Sequence, residues 1–296
     1  MLRTPLILIL LFSCSRTIDI ALPHTQKLVI HGYIAVGDRF MVSIDRTVNT
    51  QMPDTQRYIK NAWVALYAND VFIDSLLFYP QEKKYISRQA SAEPGKTYTI
   101  KAGAPGYPTA EATAAATAPV PTLSVSHIKN ARLDDVGQFL DDVQFSFQDP
   151  AGVSNYYLTS LHASTHAGIN LLCVYAADPA IDRKQADLLP TGEGKCIEPK
   201  LILFNDRSFD GTTKTITLSA WPRALETIRD DSGVVHKPYL KRYAISEVCY
   251  KYLKNISSQD YELGFPSLKV PATGIGNVNN GYGLFTIFSV ITDSLP

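Results

Sequence analysis

Twenty-eight Lys and Arg against twenty-eight Asp and Glu leave the 296 residues with no formal net charge. No basic run exceeds two residues, so the clustered cations that a phosphate backbone requires are missing and a nucleic-acid partner is excluded. The length suffices for two ordinary cores, and sixteen Tyr, twelve Phe and eighteen Pro, with Val, Ile and Thr in short alternating runs, suit a pleated chain better than a helical one.

The chain opens on Arg3 and an apolar run of eight residues, Pro5 to Phe12, far short of the roughly 20 that span a bilayer. The run reads as the core of an export signal over residues 1–13. In Leu11-Phe12-Ser13-Cys14 a small residue precedes the cysteine and Leu stands three positions upstream. This resembles a bacterial lipobox, in which Cys14 becomes the acylated amino terminus; the plainer reading is an ordinary cysteine near a cleavage site. Cleavage removes Arg3 and leaves 27 basic against 28 acidic residues, so net charge supplies no membrane attachment and lipid must. Residues 14–23 are then a lipid-anchored tether ending at Pro23.

Residues 24–119 read as a first β domain. Residues 27–34 and 40–45 alternate around the turn signal Gly37-Asp38 as a hairpin. Residues 62–67 and 71–77 form a second hairpin around Asn69-Asp70. Strands follow at Tyr85-Ile86 and, after the tight turn Pro94-Gly95, at residues 98–102. The Ala- and Thr-rich stretch 111–119 is a last strand running into a linker, since its Thr residues and the closing Pro119 and Pro121 speak against a helix. Short strands at roughly ten-residue spacing suggest a sandwich. Its own large hydrophobes, Trp63, Tyr67, Phe72, Leu76, Phe78 and Tyr98, predict that residues 20–119 fold as an autonomous unit.

Residues 120–296 form a second β-rich domain, with alternation at 123–128, 143–148, 156–162, 171–176, 201–204, 214–219 and 239–245. One helix interrupts it: Ser246 is the N-cap, Glu247 favours the first turn, Val248, Tyr252 and Leu253 share a face, and residues 255–258 end it. Residues 181–189 are a weaker helix candidate. The last strand, 284–291, is entered through the Gly-Asn-rich turn 274–283.

If Cys14 is acylated, Cys173, Cys196 and Cys249 remain, and one stays unpaired. Export favours disulfides, and the turn-rich surroundings of Cys173 and Cys196 make these two the expected pair. Cys249 lies in an apolar pattern and reads as a small buried hydrophobe. Zinc would want close cysteine pairs, and none is present. His162 and His166 share a side of either a strand or a helix, yet no H-E-x-x-H surrounds them, and an exposed loop or strand end is favoured. Asp134-Asp135 and Asp141-Asp142 lack the glycine and regular spacing of a calcium loop and read as a solvated acidic loop. Residues 274–283 look superficially like a phosphate loop but open a strand, so a flexible turn is preferred. G-x-S-x-G is absent, and no Ser or Cys is recognisably partnered by His and an acid. The expectation is therefore a protein without metal, cofactor or catalytic residues.

The order of Cys14, Ile18-Asp19-Ile20, Leu22-Pro23 and the run from Lys27 to Ile34 resembles an outer-membrane lipoprotein family of Bacteroidetes, domain of unknown function 4249. Further matches in the family's order are Asn61 to Tyr67, Pro94-Gly95 with Tyr98, Phe147 with Asp149-Pro150, Asn155-Tyr156-Tyr157, Phe204 with Asp206, Phe209-Asp210-Gly211, Ile245-Ser246 with Tyr250 and Tyr252-Leu253, and Asn277-Val278 with Gly281 to Phe285. They span nearly the whole chain. The resemblance implies a mainly β fold, with an amino-terminal sandwich similar to transthyretin-like or carboxypeptidase-regulatory modules, a second antiparallel β domain with one or two short helices, and a neighbouring TonB-dependent outer-membrane transporter. It implies no activity and transfers only Cys14. Ser15-Arg16 stands where surface-export signals usually carry acids, which leaves the periplasmic and the surface face both open.

The expected function is a non-enzymatic outer-membrane lipoprotein, an accessory or ligand-capturing partner of a TonB-dependent transporter in nutrient uptake. The alternatives are a cell-envelope enzyme acting on glycans, which would show a cleft with two converging carboxylates, and a purely structural envelope protein.

Overall fold

The structure is a computed structural model that describes residues 25–48, 57–165, 168–182, 201–229, 233–260 and 276–296. Alternation decides the first strands. In β1 (Leu28–Ala35) the even positions Leu28, Ile30 and Ile34 turn inward, and in β2 (Arg39–Arg46) Phe40, Val42 and Ile44 do the same. Hydrophobic burial at period two therefore fixes the face of each strand. β3 (Trp63–Ala68) buries Val64 and Leu66 and turns at Asn69 and Asp70, both at positive φ, the geometry of a tight hairpin.

The run after that turn does not stay in one strand. Leu76 points into the core and its N–H donates to the Val64 carbonyl at 2.9 Å. The chain thereby splits into β4 (Val71–Ser75), which pairs with β3, and β5 (Leu77–Tyr79), which pairs with β6 (Lys84–Ser91) in the opposite sheet. β7 (Thr97–Gly103) and β8 (Ala110–Ala115) complete the expected amino-terminal set. The linker region contributes β8 as a strand whose small inward residues, Ala110, Ala112 and Ala114, let the two sheets approach closely.

β9 (Thr122–Leu133), β10 (Phe139–Gln148) and β14 (Thr213–Ala220) form a three-stranded antiparallel sheet in the order β14-β10-β9. β11 (Tyr156–Thr165) pairs with β12 (Gly168–Leu171), β13 (Ile202–Asn205) and β17 (Tyr239–Ile245). β15 (Ile228–Arg229) and β16 (Val235–His236) make a small ribbon, and Pro222–Leu225 a single 3-10 turn. The second core lies between β10 and β14 on one side and β11, β13 and β17 on the other. Phe145, Phe147, Tyr157, Phe204 and Phe209 meet at its centre. Of the expected strand at 171–176 only Leu171 is in β12; Tyr175 makes an isolated bridge to Ser219.

The helix α1 (Glu247–Asp260) begins where Ser246 predicted, with the Cys249 N–H donating to Ser246 Oγ at 3.3 Å, and runs past residues 255–258. Residues 183–189 of the second helix candidate lie outside the described residues.

The last two strands reach back to the first half of the chain. β18 (Val278–Asn279) pairs with β8, and β19 (Tyr282–Ser294) pairs in parallel with β1 from Tyr282 to Phe288 and antiparallel with β17 from Ser289 to Ser294. One sheet therefore runs through both halves in the order β12-β11-β17-β19-β1-β2-β6-β5, with β8, β7, β3, β4 and β18 in the sheet that faces its amino-terminal part. Phe285 and Ile287 are buried in the first core. The stretch 276–283, expected as a flexible turn, is instead packed in place. Asn277 Nδ2 donates to the carbonyls of Thr113 and Phe285, both at 2.8 Å, and at Gly283, φ +110°, an added Cβ would run into the Ile30 carbonyl. Only glycine allows that approach.

Candidate functional site

Three aspartates from three segments meet where β10 ends and β11 begins. Asp149 follows β10, Asp206 follows β13, and Asp210 lies in the turn before β14. Their carboxylate oxygens lie within 4.8 Å of one another, with Asp149 and Asp206 buried and Asp210 exposed. Like charges this close repel, so the surroundings must supply donors. Tyr157 Oη donates to Asp149 Oδ1 at 2.5 Å and the Gly211 N–H to Asp149 Oδ2 at 3.0 Å. The Asn155 N–H donates to Asp206 Oδ2 at 2.6 Å and the Gly152 N–H to Asp210 Oδ1 at 2.9 Å. Asn155 Nδ2 also donates to the carbonyls of Pro150 and Val153.

Burial raises the Asp149 carboxyl above the ordinary carboxylate value. Its donors Tyr157 and Gly211 oppose the rise, while Asp206 and Asp210 add to it. Burial and the bond to Asp149 together push the Tyr157 phenol well above its usual value. The trio is the one set among the described residues close enough to share a metal ion. Three carboxylates suit a hard, oxygen-preferring cation. Four of their oxygens already accept from the chain, and these bonds tie the 149–155 and 205–212 turns to each other. The hydroxyl that bonds to the trio, Tyr157 Oη, is buried with Asp149. The sequence reading missed the trio because 149, 206 and 210 show no metal-like spacing. The only signal was that all three fall in the family-matching motifs.

The other expected constellations resolve differently. Asp134 closes the β9–β10 turn by accepting from the Val136 and Gln138 N–H groups. Asp141 and Asp142 are buried on β10, a correction to the solvated acidic loop: Asp141 meets His127 Nε2 at 2.7 Å, and Asp142 accepts from Arg132 at 2.8 Å and Ser219 at 2.6 Å. The two acidic pairs do not converge on a cation.

His162 is on β11, stacked on Tyr239 at 4.9 Å; His166 lies outside the described residues. Sequence reading found no partnered serine, yet Ser160 Oγ and His162 Nε2 are 2.9 Å apart, two positions along one strand face. Burial, reinforced by Lys241, lowers the His162 pKa. Ser160 is fully buried and out of a substrate's reach. Cys249 is free and buried, its thiol pushed up to about 11 by burial. Cys173 is disulfide-bonded. Cys14 and Cys196 lie outside the described residues. No helix among the described residues is long and apolar enough to cross a membrane.

A family model described as "Domain of unknown function (DUF4249)" matches residues 16–294. No curated protein matches the chain. Among solved structures, the BSP domain of a biofilm-associated protein shares 8% identity over 96% of this chain, with a TM-score of 0.22, and the chain spans 62% of its length. The B domain of a biofilm-associated protein shares 7% over 90% of this chain and 85% of that one, with a TM-score of 0.19. Scores this low carry no argument.

Proposed function

The chain belongs to the DUF4249 family, and we propose that it is an outer-membrane lipoprotein without catalysis of its own, held by lipid on Cys14, that serves a TonB-dependent transporter as an accessory or ligand-capturing partner. The observation that supports this reading best is an arm. The β9–β10 hairpin continues beyond residue 141, where its pairing with β14 stops, and β9 is exposed on both faces from Ile128 to Leu133. At the tip Leu133, Val136 and Phe139 are exposed, Val136 by 76%. An apolar tip on a projecting ribbon is a surface that a protein partner covers. A tethered protein needs only weak contacts of this kind, because confinement to the membrane raises its effective concentration.

Deleting the gene should impair uptake through one outer-membrane transporter, which should co-purify with the wild-type protein from detergent-solubilised membranes. Val136→Asp with Phe139→Asp should abolish the co-purification and leave the fold intact by circular dichroism. Normal uptake in the deletion strain, with hydrolysis by the pure protein that vanishes in Asp149→Asn or Asp206→Asn, would replace this reading by the envelope enzyme.

A further inference from the structure

We infer that the end of the first sandwich where the chain enters at residue 25 is a docking face for an anionic lipid bilayer, a role that rests on the lipid anchor at Cys14. The strand register places one set of side chains at this end. Leu28 pairs with Arg46, whose N–H donates to the Arg57 carbonyl at 2.9 Å, and Val29 lies beside Tyr282. Trp63 pairs with Gly103, and Tyr79 with Lys84 across the β5–β6 turn. Tyr107 Oη donates to Gln26 Oε1 at 3.1 Å. The loops of both sheets at this end thus surround the entering chain.

Their chemistry is that of a membrane interface. Lys27, Arg57, Lys60, Lys83 and Lys84 gather here against Asp45 and Glu82, and none of the five has a carboxylate partner among the described residues. Between them stand half-exposed aromatics. Trp63, 52% exposed, lies flat on Gly103, and Tyr282, 51% exposed, has Lys27 Nζ 5.5 Å from its ring centre. Lys60 and Lys83 both approach the Tyr58 ring, at 5.6 and 5.4 Å. The opposite end differs: it carries Asp38, Asp70 and Glu93, its Arg39 is turned back onto the Ser87 and Arg88 carbonyls, and its Lys96 is paired with Glu93 at 2.8 Å. Amphipathic rings settle at headgroup depth and cations near them bind anionic lipid, about fivefold in affinity each.

Chain length selects this occupant over a protein. Ten residues separate Cys14 from Thr25, and the eleven steps, fully extended, span at most about 40 Å. An acylated Cys14 therefore keeps this end, of all surfaces, within reach of the headgroups. A weak charge contact added to acyl chains is the two-signal arrangement that makes anchoring firm.

The test uses the two tryptophans of the chain separately. Full-length acylated protein carrying Trp221→Phe, reconstituted in vesicles with brominated phosphatidylcholine, should show Trp63 emission shifted to the blue and quenched by bromine. The Trp63→Phe protein, reporting on Trp221, should show neither. In parallel, the full mature chain with Cys14→Ser should bind vesicles in which about one lipid in four is phosphatidylglycerol and not pure phosphatidylcholine. Lys60→Glu with Lys83→Glu and Lys84→Glu should weaken that binding by well over about tenfold. Acylated protein that floats with vesicles while Trp63 stays open to aqueous iodide overturns the docking face and spares the anchor; a chain whose mass shows no acyl group overturns the anchor, and the vesicle-binding arm still decides the face. Equal binding to both vesicle types, or no effect of the charge reversals, also overturns the proposal.

Discussion

At the scale of single residues, the second core is held by polar groups that would be costly if left alone. Asp149 accepts from the Gly211 N–H and from Tyr157, whose ring packs on Phe147, Phe204 and Phe209. Asp149→Ala would strand a buried phenol and a buried N–H, and each such loss costs about 1–3 kcal/mol. The variant is expected to lose about 2–5 kcal/mol in denaturant unfolding; a change under about 1 kcal/mol would mean that water replaces the carboxylate freely. Two histidines contribute to the acid sensitivity. Burial lowers the pKa of His31, with Asp45 opposing, and of His162, with Lys241 adding to the effect, both from 6.5. A base whose pKa falls on folding favours the native state while neutral. Its contribution is thus present above the unfolded value and lost as pH falls through the folded one. The melting temperature should drop on going from about pH 7 to about pH 5, and drop less in His162→Gln than in the wild type. An equal drop in both would remove His162 from the account.

At the scale of elements, what the sequence shows and what it hides divide along chain distance. β1, β2, β3 and β7 are legible because their burial alternates locally and their turns carry Gly37, Asn69-Asp70 and Pro94-Gly95. The split of β4 from β5 is not, since Leu76 reads like any other apolar residue until the Val64 carbonyl is there to receive its N–H. Neither is the parallel seam of β1 with β19, which joins residues about 250 positions apart and leaves no mark in either strand's pattern. The aspartate trio is hidden for the same reason. The seam changes an expectation: a fragment of residues 20–119 lacks β18 and β19, and with them Phe285 and Ile287 of its own core. Removing one buried Phe side chain costs about 3–5 kcal/mol, and losing a whole strand leaves an open edge beside β1 besides. The fragment is expected not to melt cooperatively, whereas a chain ending at residue 119 to which residues 276–294 are rejoined by a flexible linker should. A sharp transition in the bare fragment would show that β19 is dispensable to the first core.

At the scale of the whole molecule, the question is whether the two cores unfold together. β19 passes through both, and the polar contacts at their junction are long-range. Thr117 Oγ1 donates to the Ala244 carbonyl at 2.7 Å and accepts from the Ser289 N–H at 2.8 Å, while Ser289 Oγ donates to the Thr117 carbonyl. Arg242, buried in the second core over the Phe147 ring, donates through Nη2 to the Val120 carbonyl and to Thr122 Oγ1, which in turn donates to Asp293 at 2.6 Å. Burial lowers the guanidinium to about 10, partly offset by Asp293, and among the described residues its Nε and Nη1 have no hydrogen-bond partner. The three Thr117 bonds at about 0.5–1.5 kcal/mol each give about 1.5–4.5 kcal/mol, a large fraction of the 5–15 kcal/mol that holds an ordinary domain. With β19 shared by both sheets, coupling of that size favours joint unfolding of the two cores. Trp63 reports on the first core and Trp221 on the second, so Trp63→Phe and Trp221→Phe proteins followed by fluorescence should melt at one midpoint. Midpoints more than about 5 °C apart would mean that β19 lets go of one half while the other stands, and the seam would then be a hinge, not a spine.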